Sequence, residues 1–210
     1  MTERFLYKYL SISDPSSWPH LRQLLADREI YFSDPKNFND PLDCNLSSAV
    51  NLQGAMYDCG IFCLAGENRD DALMFAHYGD HHRGFRLTFS IDENLSLGEI
   101  GVFGMGSEVD YRKTVPVFNI ANIHKSRLIK SLSWKYEDEY RIFHKVEGVN
   151  SPRLLRYGTQ DLVEVAFGHR MNPDFEPVIK NWIRLGGHEK VTFLRAIPSK
   201  NILNFEYAIA

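Results

Sequence analysis

The sequence predicts an α+β fold in a single domain spanning residues 1–210. Strand-like runs and helical segments interleave along the chain. No internal repeat or low-complexity tract interrupts them. A length of 210 residues, with 44% hydrophobic and 13% aromatic content, can bury a sizeable core and falls between one large domain and two small ones.

Residues 4–10 read as the first strand. In "SSWPHLRQLLADRE" Ser17 caps a helix, Pro19 fits its first turn, and Leu21, Leu24 and Leu25 share one face. "EIYFS" returns as a short strand, and "DPKNFNDPLD", rich in Pro, Asn and Asp, has the composition of a turn. "CGIFCLA" suits a buried strand, "NRDDALMFAHYGDHH" a helix closed by Gly84, and "GFRLTFSI" another strand. The Gly-rich "LGEIGVFGMGSEVDYRK" suggests a turn leading into a strand.

Residues 119–132 place Ile120, Ala121, Ile123, Leu128 and Leu132 at roughly helical spacing, with Lys125, Arg127 and Lys130 on the polar side. "DLVEVAFG" is a strand, "PDFEPVIKNWIRLG" a helix stopped by Gly186 and Gly187, and "KVTFLRAI" and "ILNFEYAI" two closing strands.

The formal charge of −3 mixes 24 basic with 27 acidic residues, so no global field draws nucleic acid or an anionic membrane. The start "MTERFLYKYL" lacks a leader pattern, and no run approaches the ~18 apolar residues of a membrane helix, so a cytoplasmic protein with no membrane partner is expected. Three cysteines, Cys44, Cys59 and Cys63, argue for reduced thiols rather than a disulfide framework.

The densest chemistry lies in "SWKYEDEYRIF" at residues 133–143. If residues 136–143 are extended, Glu137, Glu139, Arg141 and Phe143 face one side, and Tyr136, Asp138, Tyr140 and Ile142 the other. Two carboxylates on one face suit chemistry that builds positive charge, one stabilising an oxocarbenium-like carbon or gripping a ribose hydroxyl, the other orienting an attacking group. A continuing helix would instead make Glu137 and Arg141 an ordinary i,i+4 pair.

Cys59 and Cys63, with His77 and His81, superficially match zinc-ligand spacing. On a strand, however, the two thiols would lie about 13 Å apart, too far for one tetrahedral ion. His77, His81 and His82 with Asp80 at a helix end would form a metal or proton-transfer site, since His77 and His81 share a helical face, or would polarise the helix terminus with one lining a cleft; the second is favoured, and no metal is expected. No phosphate-loop, nucleophile-elbow or HExxH motif is present. Lys125, Arg127, Lys130, Lys135 and Arg141, beside Trp134, Tyr136 and Tyr140, would supply phosphate contacts and stacking surfaces for nucleic acid, or form a solvated face over core aromatics.

Together, "LYKY" at 6–9, "IYFSDPKNFNDPLD" at 30–43, "LMFAHYGDHHRGFRLTF" at 73–89 and "WKYEDEYRIF" at 134–143 resemble a prokaryotic and phage family, domain of unknown function 2971. Phe75 stands where that family has a tryptophan, and "CLAG" replaces a Cys-x-Ser run. A weaker resemblance is to ADP-ribosyltransferases of the DNA-modifying toxin branch. Its arginine-modifying members carry a Glu-x-Glu motif, which Glu137-Asp138-Glu139 resembles.

That resemblance implies a split, mostly antiparallel sheet with flanking helices and an NAD-dependent transferase serving in bacterial and phage conflict. It makes NAD the substrate and a protein or nucleic acid the acceptor. Glu139 would bind the ribose 2′-hydroxyl and stabilise the transition state, and Glu137 would orient or deprotonate the acceptor. Tyr7, Lys8 or Tyr9 would hold the adenosine-ribose side, Ser33 the second-strand serine position, and Tyr78 would stack on nicotinamide.

Two other classes compete. A non-catalytic sensing module would surround its ligand with the Asn39-Asp40-Pro41 loop, His77, Tyr78 and residues 137–141. A metal-dependent nuclease would use Asp40, Asp43, His77 and Glu139 as ligands, with Lys135 steadying a phosphate.

Overall fold

The computed structural model describes residues 3–44, 59–92, 101–119, 121–146 and 152–210. In chain order its elements are β1 (Glu3–Leu10), α1 (Trp18–Leu25), β2 (Glu29–Tyr31), β3 (Cys59–Ala65), α2 (Asp71–His77) and β4 (Phe85–Asp92). Then come β5 (Gly106–Glu108), β6 (Asp110–Arg112), β7 (Ile129–Ser131), β8 (Glu139–Lys145), β9 (Leu154–Arg156), β10 (Leu162–Phe167), α3 (Glu176–Leu185), β11 (Thr192–Pro198) and β12 (Phe205–Ile209). Short 3₁₀ turns join several of them.

Eight strands make one open sheet in the order β12-β11-β10-β4-β1-β3-β8-β5, antiparallel at every junction except β10–β11. The pairing is uneven. β1 matches β4 along its whole length and β3 matches β8 along its own, but β1 and β3 share only the pair Tyr7–Ala65. The sheet is therefore continuous rather than split, narrowing to a single residue pair at its middle. Two small ladders, β2 with β9 and β6 with β7, lie outside it.

Strand alternation gives the sheet two apolar faces. On one, Leu6, Phe85, Leu87, Phe89, Val165 and Phe167 meet Leu21, Leu24 and Leu25 of α1 and Ile179, Trp182 and Ile183 of α3. Trp18 sits edge-on to both Trp182 and Phe175. On the other face Tyr9, Ala65 and Ala196 pack against Met74 and Phe75 of α2. Asp70 caps α2 by accepting from the N–H groups of Ala72 and Leu73. Asp71 docks the helix through Arg69, Arg86, Tyr9 and Tyr207.

Several elements differ from the sequence reading. Residues 123–128 form a 3₁₀ helix and residues 129–131 strand β7, not a helix across 119–132; Ile120 and residues 97–100 of the expected glycine turn lie outside the described residues. The helical spacing of apolar side chains there is also met by an irregular segment whose Lys130 is drawn inward by carboxylates. α2 ends at His77, because Asp80, His81 and His82 all take positive φ. Gly84 serves close packing instead of closing that helix: a Cβ there would lie 2.0 Å from the Leu10 carbonyl oxygen. β2 and β12 are shorter than expected, whereas α3 stops at Gly186 and Gly187 as anticipated, with Gly187 at φ +75 in the left-handed conformation.

All three cysteines are free thiols. No helix among the described residues is long and apolar enough to cross a membrane.

Candidate functional site

Past the Tyr7–Ala65 pair β1 and β3 part, and the gap between them opens into a cavity of about 600 Å³. Lys8, Tyr9 and Leu10 line one lip, and Ile61, Phe62, Cys63 and Leu64 the other. α1 contributes Leu21 and Leu24; Tyr31, Ser33, Phe38 and Asn39 follow from the β2 region and the adjoining turn. Met74 and Tyr78 enter from α2.

The acidic side of the cavity is made by a kink. The 3₁₀ helix Leu132–Glu137 ends at Asp138, whose left-handed backbone (φ 48) turns the chain into β8 at Glu139. Asp138 is held in this conformation by tertiary contacts, its carboxylate accepting from the N–H of Asn68 and its carbonyl from the N–H of Gly66. The stretch is thus neither fully extended nor helical, yet Glu137 and Glu139 both turn inward, 3% and 5% exposed.

Cations hold the pair. Arg141, with no exposed surface, donates from Nε to Glu139 Oε1 at 2.8 Å and from Nη2 to Glu139 Oε2 at 3.0 Å. The same guanidinium clamps Asp43 through Nη1 at 2.9 Å and Nη2 at 2.6 Å, and reaches the Arg127 carbonyl at 2.6 Å. Lys130 Nζ lies 2.5 Å from Glu137 Oε2, 2.9 Å from Glu139 Oε2 and 3.6 Å from Asp43 Oδ2. The Tyr78 hydroxyl donates to Glu137 Oε1 at 2.5 Å, and Asn39 Nδ2 stands 3.4 Å from that hydroxyl.

These contacts separate the two carboxylates chemically. Burial opposes ionisation of Glu139, but Arg141 and Lys130 outweigh it and hold the carboxyl at about 2. Burial raises Glu137 above the usual range, against the pull of Lys130 and with the help of the Glu139 charge. One carboxylate is therefore a fixed charge, and its neighbour is closer to exchanging a proton. Burial likewise pushes the Cys63 and Cys44 thiols up, which keeps them protonated.

Of the residues singled out from sequence, Glu137, Glu139, Tyr7, Lys8, Tyr9, Ser33, Asn39 and Tyr78 all line this cavity. Asp40 and His77 do not. The Asp40 carboxylate is spent within its own turn, accepting from the N–H of Leu42. His77 is exposed on α2, its ring 5.7 Å from that of Tyr136. The Tyr9 hydroxyl is committed to Asp71 and Arg69, and the Tyr7 ring carries the Arg69 guanidinium 3.2 Å away.

The basic cluster proposed for nucleic acid is largely internal, since Arg127, Lys130 and Arg141 are buried. Asp43 and Glu139, two of the nuclease ligands, are both engaged by Arg141, whose Nη2 bonds each of them. Among the described residues no three His, Cys, Asp or Glu side chains are grouped to hold a metal ion. Sequence reasoning missed the inward role of Lys130, because its partners lie seven and nine residues on, beyond helical or strand spacing.

Residues 74–142 match the family model "Protein of unknown function (DUF2971)". The match supports the domain-of-unknown-function resemblance, and it takes in Tyr78, Lys130, Glu137, Glu139 and Arg141. No curated protein and no solved structure matches the chain.

Proposed function

We propose that the cavity binds NAD and supports ADP-ribosyl transfer from it, with Glu137 meeting the acceptor and Glu139 acting as a fixed negative charge near the reacting carbon. One observation carries this reading: two adjacent buried carboxylates of unequal proton affinity line a cavity whose size suits a small-molecule ligand. In the reaction the bond between nicotinamide and the anomeric carbon breaks, and its electron pair leaves with nicotinamide. Positive charge spreads over that carbon and the ring oxygen, where a carboxylate fixed in a low-dielectric wall stabilises it. An acceptor oxygen or nitrogen then bonds to the carbon, and its proton passes to Glu137.

This assignment gives Glu137 the mobile role because the oxygens of Glu139 are already engaged by Arg141 and Lys130. Tyr78 supports it by holding the other oxygen of Glu137 in place. The test is nicotinamide release from NAD, followed by mass spectrometry in cell lysate, for wild type and Glu137→Gln. Release that falls by about 10²-fold or more in the variant is expected for a lost general base. Equal release by both proteins would remove Glu137 from the mechanism.

The same saturation of Glu139 favours a second reading, a module that holds its ligand unaltered. NAD binding without nicotinamide release in lysate would select it over transfer.

A further inference from the structure

Lys8 is the cavity cation whose charge the surrounding fold leaves least compensated. It sits where β1 and β3 lose their ladder, and its Nζ donates to the Cys63 carbonyl at 2.9 Å. In doing so it satisfies one backbone acceptor that the missing ladder leaves open. An ammonium has three donors, and one carbonyl uses one. The Phe62 ring face lies 4.8 Å from Nζ. Among the described residues no carboxylate forms an ion pair with Lys8, although Arg141 and Lys130 nearby are each held by two or more.

We propose that Lys8 anchors an oxyanion, a phosphate or carboxylate group carried by the ligand of this cavity, in the gap between β1 and β3. The inference deepens the reading above and rests on its ligand-binding half, not on the transfer step. Lys8 is half-buried at the cavity wall, and a cation placed there beside a carbonyl and an aromatic face, with no carboxylate paired to it among the described residues, gains from a negatively charged partner brought in by a ligand that displaces water. Burial lowers the Lys8 ammonium from its ordinary value, with Glu139 and Glu137 opposing the shift from beyond ion-pair contact. An oxyanion on Nζ would restore that stability. The ligand would then lie with its anionic group at the β1 lip and its uncharged or cationic part toward Glu137 and Tyr78.

The test uses the full chain and simple probes: calorimetric titration of wild type, Lys8→Met and Lys8→Arg with inorganic phosphate, pyrophosphate and acetate, after thermal melts confirm that each variant folds. Wild type should bind at least one oxyanion; Lys8→Met should bind it about tenfold or more weakly, and Lys8→Arg within a few-fold of wild type. Preference for pyrophosphate over acetate would identify the group as phosphate, and the reverse as carboxylate. Equal affinity in Lys8→Met, or no oxyanion binding by folded wild type, would overturn the anchor. The two proposals fail separately: oxyanion binding at Lys8 without nicotinamide release refutes only the transfer step, and release with no oxyanion site refutes only the anchor.

Discussion

Glu139 gives both oxygens to cations, whereas Glu137 shares one with Lys130 and accepts from Tyr78 on the other. Neutralising Glu139 leaves Arg141 with Asp43 as its one carboxylate partner among the described residues, and Glu139→Gln should cost up to about 3 kcal/mol in urea unfolding, the lower end for a broken buried pair. Glu137→Gln should cost less, because Lys130 keeps Glu139 and the amide oxygen still accepts from Tyr78. Tyr78→Phe isolates the proton chemistry. The Tyr78 hydrogen bond lowers the Glu137 carboxyl, so its loss should raise that titration further while leaving the fold intact, as read by carboxyl carbon chemical shifts against pH. An unmoved Glu137 titration would mean that the contact does not persist in solution.

At the scale of elements, the site depends on two breaks in regular structure. One is the single-pair junction of β1 and β3, and the other is the Asp138 kink that delivers Glu137 and Glu139 inward from a 3₁₀ helix and a strand. Gly66 packs against that kink so closely that a Cβ would lie 2.4 Å from Asp138 Oδ2 and 2.8 Å from its carbonyl oxygen. Gly66→Ala should displace the kink and weaken ligand binding, and should lower stability by about 1–3 kcal/mol, the usual cost of overpacking. Normal binding and melting in that variant would show that the kink yields without moving the carboxylates.

Over the whole molecule, acid should unfold the protein through its paired carboxylates. Glu139, held at about 2 in the fold, has a reference value of ~4.3 in an unfolded chain, so its contribution is complete above that value and is lost as pH falls toward 2. Asp71 is also lowered, with burial opposed by Arg69 and Arg86, and so adds in the same direction. Glu137 has the opposite sign: its raised carboxyl binds a proton first in the folded state, so acid favours the fold across its own window. Urea midpoints from pH 7 to 2 should fall mainly below pH 4, and Glu139→Gln should flatten that fall; a parallel dependence in the variant would place the acid sensitivity elsewhere.

The sequence by itself determined the α+β composition, the longer strands β1, β3, β4, β10, β11 and β12, whose runs are apolar and β-branched or aromatic, and the leucine face of α1; it did not place the caps, since Ser17 makes no side-chain cap bond and α2 is capped by Asp70. It also singled out Glu137 and Glu139, since a dense charged motif stands out without any fold, while Lys8 and Tyr78 entered through the resemblance to ADP-ribosyltransferases. Only the tertiary structure decided that β1 and β3 meet at one pair and leave a cavity, because register between distant strands is set by packing and not by either strand alone. The pairing of Arg141 with Glu139 was open to the sequence, which set them on one face, but the tertiary structure alone buried the pair, brought Asp43 to it, and turned Lys130 from an apparent polar-side base into a buried partner of Glu137 and Glu139. Desolvation makes a charge seek its opposite wherever the fold brings one, and no periodicity along the chain records that meeting.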